Sequence, residues 1–285
     1  MASRSRIEIQ GSKHLAVYPY ISICSGAGGL DLGVELASGG RAVPVVYVEN
    51  ELTSASVLAS RVAEESLAPG NIFSSVKEFD FSDYHGCKGV VAGYPCGPFS
   101  NSGRRTGVRD QRWLWPYIRD GINTIRDGLE FVFLENVPGH LTLGGFEVFK
   151  DLQQMGLRTA ATLLSAEEVG GTHRRERLFI LAVADTYGGI RQGGYLEVDA
   201  AYDAGPPGTT LRHRFPPSPA SPDWDVVLPT QPWLHPTVVP EFLGGSHGLA
   251  AGVDLSRNDR NRICGLGVVP QQAARAWEIL EKDLL

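Results

Sequence analysis

The sequence predicts an α/β fold in which a mostly parallel sheet carries helices on both faces. Three observations predict it. Short β-prone runs alternate with helical patterns from residue 20 to residue 183. Glycine and proline punctuate the ends of those runs. The residues best suited to chemistry (a glycine loop at 25–29, Glu49, Cys96 and Glu135) each follow a predicted strand. Strand ends of such a sheet line one rim, so these residues should converge there.

Residues 1–16 read as a tail. Residues 20–24, with Ile21 and Ile23, form the first strand, which stops at Ser25-Gly26-Ala27-Gly28-Gly29. A helix follows, with Leu30, Val34 and Leu36 on its apolar face. Residues 43–48 form a second strand ending at Glu49, and 53–65 a helix. Residues 90–92 make a short buried strand before Gly93-Tyr94-Pro95-Cys96. Helix 117–127, strand 131–134, helix 146–155 and strand 177–183 complete the regular part. Residues 186–236 are rich in Gly and Pro without periodicity, as in Pro216-Pro217-Ser218-Pro219, and read as an irregular lobe. Residues 270–284 return to a helical pattern through Ala273, Ala274, Trp277 and Leu280.

Composition narrows the function classes. A chain of 285 residues, 42% hydrophobic, buries a core without disulfide or metal staples. Its four cysteines form no CxxC pair, so neither a zinc site nor a disulfide scaffold is expected, and a reducing compartment fits. The N-terminus lacks the apolar core of a signal peptide, and no apolar run spans a membrane; the expectation is a cytoplasmic protein. The formal net charge of −6 argues mildly against nucleic acid. Local clusters argue for it: Arg104, Arg105, Arg109 and Arg112, then Arg174, Arg175 and Arg177.

Four motifs carry the chemistry. The glycine loop taken alone suits a plain strand-to-helix turn as well as a ligand cradle. Glu49, ending the next strand, tips the balance, because an acid there accepts hydrogen bonds from ribose hydroxyls. In Gly93-Tyr94-Pro95-Cys96-Gly97-Pro98, two prolines stiffen the loop around a cysteine, which suits a nucleophile more than a core thiol. Glu135, leading Glu135-Asn136-Val137-Pro138, is either a general acid or a cap on the next helix. In an extended His173-Arg174-Arg175-Glu176-Arg177, Arg175 and Arg177 share a face; alone, the segment reads as a solvated basic edge.

Together, in this order and spacing, these residues resemble the cytosine-C5 DNA methyltransferase family from about Tyr20 to Leu280, the irregular lobe excepted. The resemblance implies a Rossmann-like S-adenosylmethionine-dependent methyltransferase fold. Residues 17–185 and 262–285 would form the catalytic domain, and 186–261 a small target-recognition lobe. It implies a monomeric enzyme that transfers a methyl group from S-adenosylmethionine to C5 of a flipped-out cytosine in double-stranded DNA, through a covalent Cys96 adduct. Glu135 would hold cytosine N3, with Asn136 and Val137 completing its motif. Arg177 would contact O2, with Arg175 as its partner. Cys24, Ser25, Gly26, Ala27, Gly28, Gly29, Leu30, Glu49, Asn50, Pro95 and Val268 would surround the donor. Residues 97–113 match a mobile loop, on which Ser100, Arg104, Arg105, Arg109 and Arg112 would grip DNA. Gln271 and its neighbours match the last motif.

The chain also departs from the family. Cys24 stands where an aromatic is common, Gly97 where glutamine is, and Leu266 where an asparagine is. The aspartate expected between residues 71 and 80 is represented by Ser75 or Asp80. Divergence of an enzyme using the ordinary donor accounts for this. The sharper alternative is a donor pocket opened for a bulkier group, such as the carboxymethyl of a modified S-adenosylmethionine. Two rivals remain: an RNA methyltransferase, whose tRNA branch carries a Cys-Phe-Thr signature absent here, and an inactive DNA-binding relative. Retention of Cys96, Glu135, Arg175 and Arg177 together argues against the second.

Overall fold

The computed structural model describes residues 17–95, 113–142, 144–171, 173–190 and 267–285. Cys96, Gly97, Ser100, Arg104, Arg105, Arg109, Arg112 and Leu266 lie outside them, as does nearly all of the 186–261 lobe.

Seven strands form one sheet: β1 (Tyr18–Ile23), β2 (Ala42–Val48), β3 (Asn71–Phe73), β4 (Gly89–Ala92), β5 (Phe131–Asn136), β6 (Arg158–Leu164) and β7 (Arg177–Val183), in the order β3-β2-β1-β4-β5-β7-β6. Strands β1 to β5 pair in parallel, and β7 runs antiparallel between β5 and β6. The chain winds outward from β1 to β3, then returns to lay β4 beside β1. That reversal opens a crevice past the carboxyl ends of β1 and β4, where ligands of such sheets bind. The glycine loop leaves β1 there, and Gly93 and Tyr94 leave β4 beside it.

Strands β4 and β5, and β7 beyond Arg177, are buried on both faces, as strands covered by helices must be. Ile21, Ile23, Val90, Ala92, Val132, Leu134, Leu178 and Ile180 face α3 (Trp115–Thr124) and α4 (Gly145–Gln154) through Trp115, Ile118, Val148 and Leu152. The intervening residues, Tyr20, Val91, Phe131, Phe133, Phe179 and Leu181, face α1 (Gly29–Ser38) and α5 (Pro270–Leu284). The Trp277 ring of α5 meets Phe131 and Phe133 edge-on at 5.1 and 4.9 Å. The helix α2 (Leu52–Ala63) packs Leu58 against Tyr47 and Leu67. Helices α1 and α5 touch backbone to backbone. A Cβ on Gly33 would lie 2.5 Å from the Ala273 Cβ and 2.8 Å from the Pro270 carbonyl oxygen. No helix among the described residues is long and apolar enough to cross a membrane.

The structure adds β3 and β6, which the sequence pattern does not announce, and divides the predicted helix 117–127 into α3 and a 3-10 turn at Arg126–Gly128. It also extends the predicted strand 131–134 by two residues, so Glu135 and Asn136 belong to β5 itself.

Candidate active site

The glycine loop turns sharply. Cys24, Gly26 and Gly28 have φ of 51, 58 and 79°, in the left-handed region that disfavours side chains. The Gly28 N–H closes the turn on the Ser25 carbonyl at 2.9 Å, and the Ser22 hydroxyl donates to the Ser25 hydroxyl at 2.8 Å. A Cβ on Gly29 would press 2.4 Å from the Val268 carbonyl oxygen, which brings the segment before α5 onto this loop. A Cβ on Gly26 would meet nothing within 4 Å, so the loop is open at that residue.

Glu49 follows β2 and is 8% exposed, not the solvated carboxylate it would otherwise be. One oxygen accepts from the Gly26 N–H and the other from the Glu51 N–H, each at 2.8 Å. A carboxylate offers about four lone-pair positions, so half remain for hydroxyl donors. An open glycine turn tied to a buried acid fits the sugar and amino-acid portions of S-adenosylmethionine. Ala27 is half-buried, Asn50 and Pro95 are exposed at the rim, and Leu30 and Val268 belong to the core beneath. Burial, with the Glu49 charge adding to it, pushes the Cys24 thiol up to about 12. The Cys24 thiol is therefore held in its neutral, unreactive form near pH 7. Asp80 is exposed and caps the turn at Phe81–Tyr84 by accepting from the Ser82 N–H at 2.9 Å. Ser75 lies two residues beyond β3.

Glu135 is 7% exposed and caps no helix. In the antiparallel register it lies opposite Phe179, so Arg177 is its diagonal neighbour on the same face. Arg177 Nε donates to Glu135 Oε1 at 2.8 Å. Burial raises the Glu135 carboxyl to about 7, against the opposing pull of Arg177 and Arg175. A Cβ on Gly93 would sit 3.5 Å from Glu135 Oε2 and 3.6 Å from the Cys24 carbonyl oxygen. Gly93, at the start of the Pro-Cys segment, thus lies between the Glu135 carboxyl and the glycine loop.

Asn136 points to the other face, donating to the Tyr94 carbonyl at 3.2 Å and accepting from the Val137 N–H at 2.9 Å. The Tyr94 hydroxyl pairs with His140 Nε2 at 2.9 Å, both side chains being buried. These contacts fix the backbone immediately before Pro95-Cys96.

The extended geometry expected for residues 173–177 is overturned. Arg175 has φ 22°, which breaks the alternation that would set it on one face with Arg177. Its guanidinium turns instead to the Gly267 carbonyl before α5. The positive charge still reaches Glu135, but through a turn and not a strand.

Sequence reasoning missed Asp31 and His140 and included Gln272 only as a neighbour of Gln271; all three are buried. The available signal for Asp31 and Gln272 was a polar residue at an apolar helix position; His140 offered none.

The model of the family described as C-5 cytosine-specific DNA methylase matches residues 18–190. The type II methyltransferase M.BspRI of Lysinibacillus sphaericus is 30% identical over 187 residues, covering 57% of this chain and 44% of that protein. M.NaeI of Lentzea aerocolonigenes is 25% identical over 275 residues, covering 93% of this chain and 58% of that protein. The chain spans about half the length of the curated relatives it matches. Among solved structures, the Entamoeba histolytica methyltransferase EhMeth gives a TM-score of 0.62 at 15% identity, covering 94% of this chain and 99% of that one, a likeness of fold alone. With more than half its length matched by the family model, this chain belongs to the C-5 cytosine-specific DNA methylase family.

Proposed function

We propose that the protein methylates C5 of cytosine in double-stranded DNA, with Cys96 as nucleophile and Glu135 as the acid that activates the ring. The observation that carries this reading is the Glu135 carboxyl: buried, held near neutrality at about 7, and within reach of Gly93, three residues before Cys96.

Cytosine C5 is a poor nucleophile. The Cys96 thiolate adds to C6, forming a C–S bond and pushing the ring electrons toward C5 and N3. Glu135 holds its proton at N3 and stabilises that addition, a contribution of roughly 10²- to 10⁴-fold. Arg177 steadies the carboxyl and offers further donors to O2. S-adenosylmethionine, when bound, supplies an electrophilic methyl on a sulfonium. The glycine loop and Glu49 are the residues that would hold it in line. Loss of the C5 proton to a base then expels the Cys96 thiolate and restores the aromatic ring. The target cannot be reached inside a duplex, so it must be flipped out, and Ser100, Arg104, Arg105, Arg109 and Arg112 are proposed to grip the DNA around it. Residues 17–185 and 262–285 are proposed as the catalytic domain, and 186–261 as the lobe that chooses the target.

The test is incubation with S-adenosylmethionine and duplex DNA, followed by nucleoside mass analysis and bisulfite sequencing. The expected product is 5-methylcytosine at a recurrent sequence. Unmodified DNA, or methylation of tRNA in its place, contradicts the reading. A product formed only from a carboxymethyl donor would instead favour the enlarged pocket beside Cys24.

A further inference from the structure

Gln272 lies in the first turn of α5, far in sequence from the chemistry, and its side chain is fully buried. Its amide Nε2 donates to two backbone carbonyls: Leu164, the last residue of β6, at 2.6 Å, and Arg175 at 2.9 Å. Its Oε1 is buried with no partner among the described residues. Both amide hydrogens are thus committed, while the acceptor end is not. The contribution of this side chain is therefore as a donor.

What it donates to is a strained residue. Arg175 at φ 22° occupies backbone space that strains any residue carrying a side chain, and such geometry persists only when its surroundings over-determine it. Three ties do so here. The Ala166 N–H donates to the Arg174 carbonyl at 3.0 Å, Gln272 takes the Arg175 carbonyl, and the Arg175 guanidinium reaches the Gly267 carbonyl. Two residues later Arg177 enters β7 and pairs with Glu135. The segment entering α5 also bears on α1, through Val268 on Gly29 and Pro270 on Gly33.

We propose that Gln272 is a positioning residue of the methyl-transfer reaction: by holding the turn at Arg175, it sets the entry into β7 so that Arg177 meets Glu135 with the Arg175 charge nearby. The proposal rests on the role assigned to Glu135 above. From β7 and the turn before it, the charged groups facing Glu135 are Arg177 and Arg175. From the end of β4, the neighbouring group is the Gly93 backbone, where a Cβ would lie 3.5 Å from Glu135 Oε2. Freeing the arginines therefore removes the pull that lowers the carboxyl, and its titration moves upward.

Gln272→Leu and Gln272→Glu separate this role from plain packing. Both remove the amide donor, and Glu keeps the shape. In steady-state assays across pH, with thermal unfolding in parallel, Gln272→Leu should lower kcat at least tenfold while the donor KM stays within about threefold. The alkaline fall of the rate, set by Glu135 losing its proton, should shift to higher pH. Gln272→Glu should recover part of the lost rate as pH falls, because its protonated carboxyl regains one donor. A folded variant with reduced kcat but an unmoved alkaline limb, or with unchanged kcat, overturns the proposal. Failure of both variants to fold also overturns it, by making Gln272 a residue of the fold alone. If the wild type in the same assay transfers no methyl group, the functional reading fails instead.

Discussion

Glu135 and Arg177 meet across an antiparallel strand pair, two residues out of register, with Arg177 Nε 2.8 Å from Glu135 Oε1. The pair keeps a buried acid close to neutrality, neither fully ionised nor locked in its protonated form. An acid so poised can lend a proton to a ring nitrogen and take it back near pH 7.

Glu135→Gln should therefore lower methyl transfer by roughly 10²- to 10⁴-fold. It should also change stability in a pH-dependent way. Because the folded carboxyl titrates above its ordinary value of 4.5, the stability it contributes is complete below that value and is lost as pH rises through about 7. Urea unfolding should show the variant gaining on the wild type between pH 4.5 and 7. A constant difference across that window would contradict the assigned titration.

Asp31, in the first turn of α1, is a second buried acid, raised to about 6 by burial, which outweighs the opposing influence of the neighbouring Ser22 and Tyr20 hydroxyls. The Tyr20 hydroxyl donates to Oδ1 at 3.1 Å, and Oδ2 has no partner among the described residues. The sign is the same as for Glu135: stability is lost as pH rises through about 6. Asp31→Asn should stabilise the fold on the order of 2 kcal/mol at pH 8, with the gain vanishing near pH 4. Destabilisation at every pH would show that the charged form is needed.

Two glycines should separate binding from stability. Gly26→Ala aims its methyl into open space, at the cost of left-handed strain of about 1–2 kcal/mol. Equilibrium dialysis should show at least tenfold weaker S-adenosylmethionine binding with a small fall in Tm. Gly33→Ala forces α1 away from Ala273 and Pro270, and overpacking of this kind costs about 1–3 kcal/mol. Its Tm should fall further. The reverse ranking would mean that Gly26 does not border the donor.

The thiols of Cys24 and Cys87 are both pushed up by burial, to about 12 and about 11. The thiolate is the reactive form. Iodoacetamide at pH 8, followed by peptide mass mapping, should label these two sites at least tenfold more slowly in the folded protein than in urea. Rapid labelling of Cys24 would reopen it as a nucleophile.

The parallel part of the sheet was legible because its strands are short runs of Ile, Val and Phe buried on both faces. β6 was hidden for the opposite reason. Arg158–Leu164 is an edge strand of Thr and Ala, half exposed, with no run of large apolar residues. β3, three residues long, is too short to carry a period. Glu49 and Glu135 were legible because each is an acid where a strand ends. The turn at Arg175 was not, because its positive φ is imposed by Gln272 and Gly267, nearly a hundred residues downstream. Local spacing carries no trace of a constraint applied from so far along the chain.

The most direct test of the central claim uses duplex DNA carrying 5-fluorocytosine, whose fluorine cannot leave as the C5 proton does, together with S-adenosylmethionine. The account predicts a denaturant-resistant protein–DNA adduct whose mass maps to the peptide containing Cys96, absent in Cys96→Ala. An adduct on another residue, or none from a wild-type protein that methylates ordinary DNA, would contradict it.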